Sequence, residues 1–310
     1  MYHDSLALIE ASQKITLVSH IVPDGDALGS SLAFYLALKK MGKNVKIYNA
    51  TKVIATRYDF LPSFSKITNA FPINCDLVIS FDCGSFDRLG IQEGDFKLIN
   101  IDHHKSNQMY GDINIVETSQ PSASCVAFSV LQSLGIKIDK DIATCIYAAL
   151  AEDTNFFTTK NVDKNAFLLA GELTSLGANP ALVADRIKHR NSLAKMRLTA
   201  LFLDTLELRE DGSIALGEVT QEMFQKSGAL RYDTTEFVEM LHDMATVKVA
   251  IFVLGLPDGH YKISLRSKEK DVSQVALKLG GGGHHHAAGL SAMKEDKEKI
   301  LEQIINEVSG

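Results

Sequence analysis

Two short segments of the chain combine imidazole and carboxylate side chains at close spacing. The first is His20-x3-Asp24-x-Asp26, in which one turn can present a histidine and two acids. The second is the segment 102–104, with the sequence Asp-His-His. Nitrogen and oxygen donors of this kind bind divalent metal ions when they are deprotonated near neutral pH. The two segments therefore predict a metal-dependent hydrolase.

Two further acids follow predicted elements of the fold. Asp82 comes directly after the apolar run Leu77–Phe81, and Asp153 comes just past a predicted helix that starts near Asp139. A lone acid after a strand is most often a helix cap, so Asp26 is also a candidate cap for the helix that follows it. Capping requires neither an imidazole nor a second acid two residues away, and the ordered set as a whole therefore favours a metal site.

Strand and helix patterns alternate through the first half of the chain, and both segments follow apolar, strand-like runs. The predicted strands are Ile15–Ser19, Val45–Asn49, Asp76–Phe81 and Lys97–Ile101, and the predicted helices are Asp26–Lys40, Ser122–Leu134 and Asp139–Ala151. This alternation predicts an α/β fold, with a mainly parallel sheet that carries helices on both faces. The acids and histidines then lie at the carboxyl ends of the strands, where open α/β sheets bind ligands.

The pattern changes in the second half of the chain. Residues 162–208 are predicted to be mostly helical. Beyond them, the predicted strands are Ile214–Val219, Val247–Leu256 and His260–Leu265, and the predicted helices are Asp271–Leu279 and Met293–Val308. These elements indicate a smaller mixed-sheet α/β domain with a hairpin at Asp258-Gly259. We therefore predict a catalytic metal-binding domain over residues 1–188, a substrate-binding domain over residues 189–310, and an active site in the cleft between them.

Composition and charge disfavour several classes of protein. No apolar run approaches the roughly 20 residues that cross a bilayer, and the first five residues lack the basic start of a signal peptide. We therefore expect a cytoplasmic protein. The four cysteines show no Cys-x-x-Cys spacing, which predicts separate thiols and no structural zinc site. A formal net charge of −6 disfavours a protein that grips long duplexes, so any nucleic-acid substrate should be short.

The ordered set of histidines and acids resembles the DHH phosphoesterase superfamily, which is named for the triplet seen here as Asp102-His103-His104. The resemblance covers essentially the whole chain, because Gly280–Gly289 is similar to the glycine-rich motif of the C-terminal domain that accompanies many of these enzymes. Within the superfamily, the chain is most similar to the bacterial branch of oligoribonucleases, or nanoRNases, and pAp phosphatases.

The resemblance implies two Mn²⁺ ions in each active site, with the carboxylate of Asp82 bridging them. One ion would be held by His20, Asp24 and Asp82, and the other by Asp26, Asp82, His103 and Asp153. His104 would face the substrate as a catalytic residue, and Asp102 would orient an imidazole or close the turn. The chain departs from the family at Asn155, where glycine is usual, although asparagine tolerates the left-handed backbone conformation better than most residues.

The glycine-rich segment of the second half suggests how a substrate is held. Four consecutive glycines at 280–283 are either a flexible turn or a place where backbone amides approach phosphate oxygens. The neighbouring histidine and an arginine at a predicted strand end favour the second interpretation. The predicted substrate-binding residues are Arg266, Gly282, Gly283 and His284. Arg88 is either an ion-pair partner or a phosphate ligand, and His285 and His286 have no role implied by the resemblance.

The expected reaction is hydrolysis of short oligonucleotides to 5′-mononucleotides, and of pAp to AMP and phosphate, by a hydroxide held between the two ions. A phosphodiesterase for linear or cyclic dinucleotides, such as pApA or c-di-AMP, is the nearest alternative. A nucleotide-binding regulator without turnover belongs to another class, and the cluster of like charges argues against it. The sequence is compatible with a homodimer.

Overall fold

The computed structural model describes residues 2–309, so that the outermost residues of the two predicted domains, Met1 and Gly310, lie outside it. The chain divides into two compact units, the first ending at Arg190 and the second beginning at Asn191. Each unit is built on a six-stranded sheet. The predicted α/β fold, with a parallel sheet followed by a mixed sheet, is confirmed.

The sheet of the first unit is parallel throughout, and its strand order is β3-β2-β1-β4-β5-β6. The strands are β1 (Lys14–Ser19), β2 (Asn44–Tyr48), β3 (Ile67–Thr68), β4 (Leu77–Phe81), β5 (Lys97–Asp102) and β6 (Ile113–Val116). The helices are α1 (His3–Ala11), α2 (Gly25–Lys40), α3 (Ala123–Ser133), α4 (Lys140–Asp153), α5 (Lys164–Ser175) and α6 (Pro180–Lys188). The strand order reverses between β1 and β4, which is the kind of position where open α/β sheets bind ligands.

Both faces of this sheet are covered, as its apolar strands predict. Helix α2 packs on one face, where the rings of Phe34 and Phe81 lie 4.9 Å apart. On the opposite face, Tyr48 meets the ring of Phe71 edge-on at 5.2 Å, in a hydrophobic cluster that also contains Phe96. The loops before and after β4 therefore cover part of the face that α2 does not reach.

Helices α2 and α4 pack closely because glycine lies in their contact. A Cβ atom built on Gly29 would collide with the Cys145 carbonyl oxygen and the Ala149 side chain. One turn earlier, a Cβ atom on Gly25 would collide with the carboxylate of Glu152. Because Gly25 and Gly29 have no side chains, the first turns of α2 can lie directly against the last turns of α4.

The sheet of the second unit is mixed, with the order β11-β12-β10-β9-β8-β7. Its strands are β7 (Glu207–Arg209), β8 (Ile214–Val219), β9 (Val249–Gly255), β10 (Tyr261–Ser267), β11 (Gly282–His284) and β12 (Ala287–Ala292). Its helices are α7 (Leu193–Leu203), α8 (Gln221–Ser227), α9 (Phe237–His242), α10 (Val272–Lys278) and α11 (Lys297–Ser309). Strands β8 and β9 pair in parallel, and the other neighbours pair antiparallel.

The hairpin predicted at Asp258-Gly259 joins β9 to β10, and Gly259 has a φ of +86°. The helix predicted over Met293–Val308 begins later, at Lys297, because a 3-10 turn occupies Lys294–Asp296. No single helix within residues 2–309 is both long and apolar enough to cross a bilayer; α5 and α6 reach that length and composition only together, bent by 108°.

Candidate metal centre

His20 lies at the carboxyl end of β1 and is buried. Its Nδ1 donates to the Ile21 carbonyl oxygen at 3.0 Å, so Nε2 is the ring nitrogen that faces the carboxylates. Nε2 lies 3.6 Å from Oδ2 of Asp24 and 3.8 Å from Oδ2 of Asp82. Burial lowers the pKa of His20, but the contact with Asp24 and the charges of both acids raise it above its usual value.

The two acids that follow His20 have different partners. Asp24 caps α2, since its Oδ1 accepts from the amide of Ala27 at 3.0 Å. Asp26 is buried and accepts from the first amides of α3, from Ala123 at 2.6 Å and Ser124 at 2.9 Å. The alternative in which Asp26 caps its own helix is therefore wrong, because the extended backbone at Asp24 places that residue at the cap position.

Asp82 follows the last residue of β4 in a left-handed backbone conformation, with a φ of +52°. A non-glycine residue held in this region costs about 1 kcal/mol or more, and such residues often occur at functional sites. The side chain is 4% exposed. Its Oδ2 faces His20, while its Oδ1 lies 3.5 Å from Nε2 of His103. The two oxygens of one carboxylate therefore face two different imidazoles.

Asp102 closes the turn at the end of β5. Its fully buried carboxylate accepts from the backbone amide of His103 and from Nδ1 of His104, both at 2.7 Å. The other oxygen accepts from Nδ2 of Asn107 at 2.5 Å. The His104 ring is thereby oriented while its side chain stays 35% exposed. Asn107 was missed by sequence reasoning, because only the folded loop brings it back to Asp102.

Three donor groups meet around Asp82 and His103. In each group, one ligand atom per residue lies within 4.8 Å of the others. The groups are His20 with Asp24 and Asp82; Asp26 with His103 and Asp153; and Asp82 with Asp102, His103 and His104. All the residues predicted to hold metal thus converge, although they come from four different strand or helix ends.

The turn after Asp153 has an unusual backbone. Asn155, Phe156 and Phe157 are all left-handed, with φ values of +43°, +58° and +66°. The conformation is unfavourable for most L-residues by about 1–2 kcal/mol each. The amide of Phe157 donates to Oγ1 of Thr154 at 3.1 Å. Asparagine therefore occupies the first position of a left-handed turn that begins two residues after Asp153, the last acid of the cluster.

The electrostatics of the cluster fit a bound cation. Burial and the charge of Asp82 raise the pKa of Asp26 to about 7. Burial, then the charges of Asp26 and Asp82, raise the pKa of Asp153 well above its usual range. Within residues 2–309, the buried atoms Oδ1 of Asp82 and Nε2 of His103 have no hydrogen-bond partner. Divalent cations would satisfy both atoms and offset the repulsion among the acids.

In the second unit, the predicted substrate-binding residues lie on β10 and β11, two strands that β12 separates in the sheet. Arg266 on β10 pairs across the ladder with Ala287 of β12, which in turn pairs with His284 of β11. Nε of Arg266 donates to Oε1 of Glu239 at 2.6 Å, and its Nη1 donates to the Leu265 carbonyl oxygen. The arginine is thus held in place by an acid on α9, a partner that sequence reasoning missed.

The last two glycines of the run belong to strand β11, so the run is not a turn over its whole length. Cβ atoms on Gly281 or Gly283 would collide with β12, whereas one on Gly282 would meet no heavy atom of the described residues within 4 Å. Gly280 has equally open surroundings, so within strand β11 itself Gly282 is the glycine whose backbone has space beside it for a ligand.

The residues without an implied role have local partners. Nδ1 of His285 lies 3.3 Å from Asp271, and Nδ1 of His286 donates to the Ser267 carbonyl oxygen at 3.0 Å. His285 thus contacts the cap of α10, and His286 contacts the end of β10. The Arg88 carbonyl oxygen accepts from the amide of Ile21 at 2.8 Å, which places Arg88 beside His20 in the chain fold. Burial lowers the pKa of His20, the nearby acids raise it, and the charge of Arg88 makes a smaller contribution that lowers it.

The chain is similar to known proteins over both units. Residues 14–150 match the model of the DHH family, N-terminal domain, and residues 220–310 match the model of the DHHA1 domain. A bifunctional oligoribonuclease and PAP phosphatase NrnA from Thermus thermophilus is 29% identical over 299 residues, covering 95% of this chain and 89% of that protein. The cyclic-di-AMP phosphodiesterase PdeA from Listeria monocytogenes is 25% identical over 306 residues, covering 89% of this chain and 44% of that protein.

A solved structure has nearly the same fold as this chain. It is the crystal structure of an exopolyphosphatase-related protein from Bacteroides fragilis, with a TM-score of 0.89 at 25% sequence identity. The match covers 99% of this chain and 96% of that chain.

Proposed function

We propose that this chain, which belongs to the DHH family and carries a C-terminal DHHA1 domain, hydrolyses short oligonucleotides and pAp with the help of two Mn²⁺ ions. The family assignment makes the protein a hydrolase of phosphoester bonds. The proposal adds the metal, the substrates and the roles of individual residues.

The observation that carries the proposal is the position of Asp82 between two donor groups. One carboxylate oxygen faces His20 and the other faces His103, so that each oxygen has its own cluster of donors. In the proposal His20, Asp24 and Asp82 hold one ion, and Asp26, Asp82, His103 and Asp153 hold the other. Each set contains an imidazole among carboxylates, a mixture that favours Mn²⁺ over Mg²⁺.

The chemistry that paired divalent ions supply in such sites is activation of a water molecule and neutralisation of charge on the phosphoryl oxygens. The chain's own residues bind and orient the substrate. His104 donates Nδ1–H to Asp102, which fixes the ring and leaves Nε2 to meet a phosphoryl oxygen. In the second unit, Arg266, His284 and the backbone at Gly282 and Gly283 are the proposed nucleotide-binding groups, with Glu239 holding the guanidinium in one orientation.

The relatives support a preference for oligonucleotides and pAp over cyclic dinucleotides. The chain spans most of the length of the Thermus thermophilus oligoribonuclease and PAP phosphatase, but less than half of the Listeria monocytogenes cyclic-di-AMP phosphodiesterase. Activity on linear or cyclic dinucleotides is nevertheless the second candidate function, because the similarity to that phosphodiesterase covers 89% of this chain.

A substrate panel with metal titration tests the proposal. Release of AMP, mononucleotides and phosphate would be measured for pAp, for RNA of about two to five nucleotides, for pApA and for c-di-AMP, with Mn²⁺ and Mg²⁺ titrated separately. We expect Mn²⁺-dependent product from pAp and short RNA. Faster turnover of c-di-AMP would favour the second candidate, and binding of pAp without product would favour a regulator without turnover.

A further inference from the structure

Glu152 is an acid in the contact between α2 and α4, one residue before Asp153. Its side chain is only 18% exposed. Its Oε2 lies so close to Gly25 that a Cβ atom there would overlap it. Gly25 is the residue between Asp24 and Asp26. A single carboxylate thus touches the turn that carries two of the proposed ligands and adjoins a third along the chain.

The other oxygen of Glu152 is held by the 3-10 turn Thr56–Tyr58. The hydroxyl of Tyr58, a fully buried residue, donates to Oε1 of Glu152 at 2.7 Å. Nη2 of Arg57 donates to the Tyr58 hydroxyl at 2.9 Å and lies 3.3 Å from the same Glu152 oxygen. The Tyr58 ring also lies 3.3 Å from the position of a Cβ atom on Gly25. The ring and the carboxylate together fill the space beside Gly25.

Close packing of α2 on α4 does not by itself require an acid. One turn further along α2, the nearest neighbours of Gly29 are the backbone carbonyl of Cys145 and the small side chain of Ala149. Placing a carboxylate in such a contact costs desolvation free energy that its partners must offset. The acid at this position therefore points to a role in addition to packing.

We propose that Glu152 and Tyr58 are positioning residues for the metal centre. Tyr58 holds Glu152, and Glu152 fixes the Asp24–Asp26 turn relative to Asp153. The inference deepens the proposed function and rests on it. Partners that orient metal ligands without touching the metal typically change metal affinity by about 10-fold to 100-fold when they are removed.

The Tyr58→Phe variant tests this without changing any charge. We expect Mn²⁺ affinity, measured by calorimetry, to fall about tenfold or more. We also expect turnover to return towards the wild-type kcat when Mn²⁺ is in excess. Tyr48→Phe is the matched control, since Tyr48 is also buried and donates its hydroxyl within the same unit, to the Gly90 carbonyl oxygen at 2.9 Å. Loss of affinity in Tyr58→Phe beyond that of Tyr48→Phe supports the proposal, and equal affinity overturns it.

The Glu152→Gln variant and the double variant show whether Tyr58 acts through Glu152. If it does, the double variant loses no more Mn²⁺ affinity than Glu152→Gln alone; additive losses would overturn this link. Thermal melting of the metal-free variants reports whether each one folds. If the wild-type protein does not bind Mn²⁺, the proposed function is also wrong. If the wild-type protein binds Mn²⁺ and the variants bind it equally well, only the positioning role is wrong.

Discussion

Oδ1 of Asp82 and Nε2 of His103 face each other at 3.5 Å, and both atoms are buried without a hydrogen-bond partner in the part of the chain that the structure describes. The other ring nitrogen of His103 contacts the Gln120 carbonyl oxygen at 3.2 Å. Two polar atoms left in this way are costly unless a further group satisfies them. The pair is therefore the point at which the proposed metal centre is most directly testable.

Asp82→Asn removes the charge of the carboxylate proposed to lie between the two ions, and it keeps a residue that tolerates the left-handed backbone. We expect turnover with Mn²⁺ to fall about a thousandfold or more, since metal stabilisation of the transition state amounts to several kcal/mol. The metal-free variant should melt no lower than wild type, because repulsion among the acids is reduced. Mn²⁺-dependent turnover within about tenfold of wild type would contradict the two-ion arrangement.

Mn²⁺ binding should strengthen as the pH rises, because the ligands must lose protons first. Burial lowers the pKa of His103, but its contact with Asp82 and the charges of Asp26 and Asp153 raise it to about 10; burial and the charge of Asp82 raise the pKa of Asp26 to about 7. Both raised values mean that the metal-free fold binds protons better than the unfolded chain, so its stability decreases with pH.

The increase in melting temperature on adding Mn²⁺ to protein stripped with a chelator should therefore grow from about pH 6 to about pH 8. Calorimetry in two buffers of different ionisation enthalpy should show protons released on binding. A pH-independent increase, without proton release, would mean that these groups do not bind the ion.

Substitutions of Asn155 test how much the left-handed turn after Asp153 depends on this residue for its stability. We expect Asn155→Val to lower the free energy of unfolding of the metal-free protein by about 1–2 kcal/mol, because a β-branched residue is disfavoured at a φ of +43°. Asn155→Gly should stay within about 1 kcal/mol of wild type, since glycine adopts this conformation freely. Urea denaturation measures both changes, and equal stability of the two variants would contradict the prediction.

Substitutions of Arg266 test whether the second unit binds the substrate. A charge-assisted hydrogen bond contributes about 1.5–3 kcal/mol, so Arg266→Ala should raise the KM for pAp by about 10-fold to 100-fold. Arg266→Lys should restore little of this, since an ammonium cannot bind phosphate through two parallel bonds. Mn²⁺ affinity should not change. A fall in kcat at constant KM would contradict a binding role.

The order and chemical type of the donors are evident from the sequence, as is the alternation of strands and helices that brings them to one sheet edge. Strands and helices can be predicted because their hydrophobic periods are properties of short stretches of sequence. The turn preferences of Asp258-Gly259 and of Asn155 are local in the same way. The short helices α8 and α9 and the strand β11 were missed, because each is too short to show a period of its own and is stabilised by packing on its neighbours. Strand β12 is longer, but its Ala, Gly and Ser residues give little strand signal.

The sequence by itself determined which side chains are available for chemistry, because residue type and spacing decide which donors one turn can present. The tertiary structure decided which atoms meet. It made Asp24 the cap and set Asp26 against α3, turned the two oxygens of Asp82 towards different histidines, and brought Asn107, Tyr58 and Glu239 to their partners. The cap at Asp24 is a local contact, whose choice over Asp26 the folded backbone decides. The other contacts join groups that the chain brings near only when it folds, and no local pattern records them.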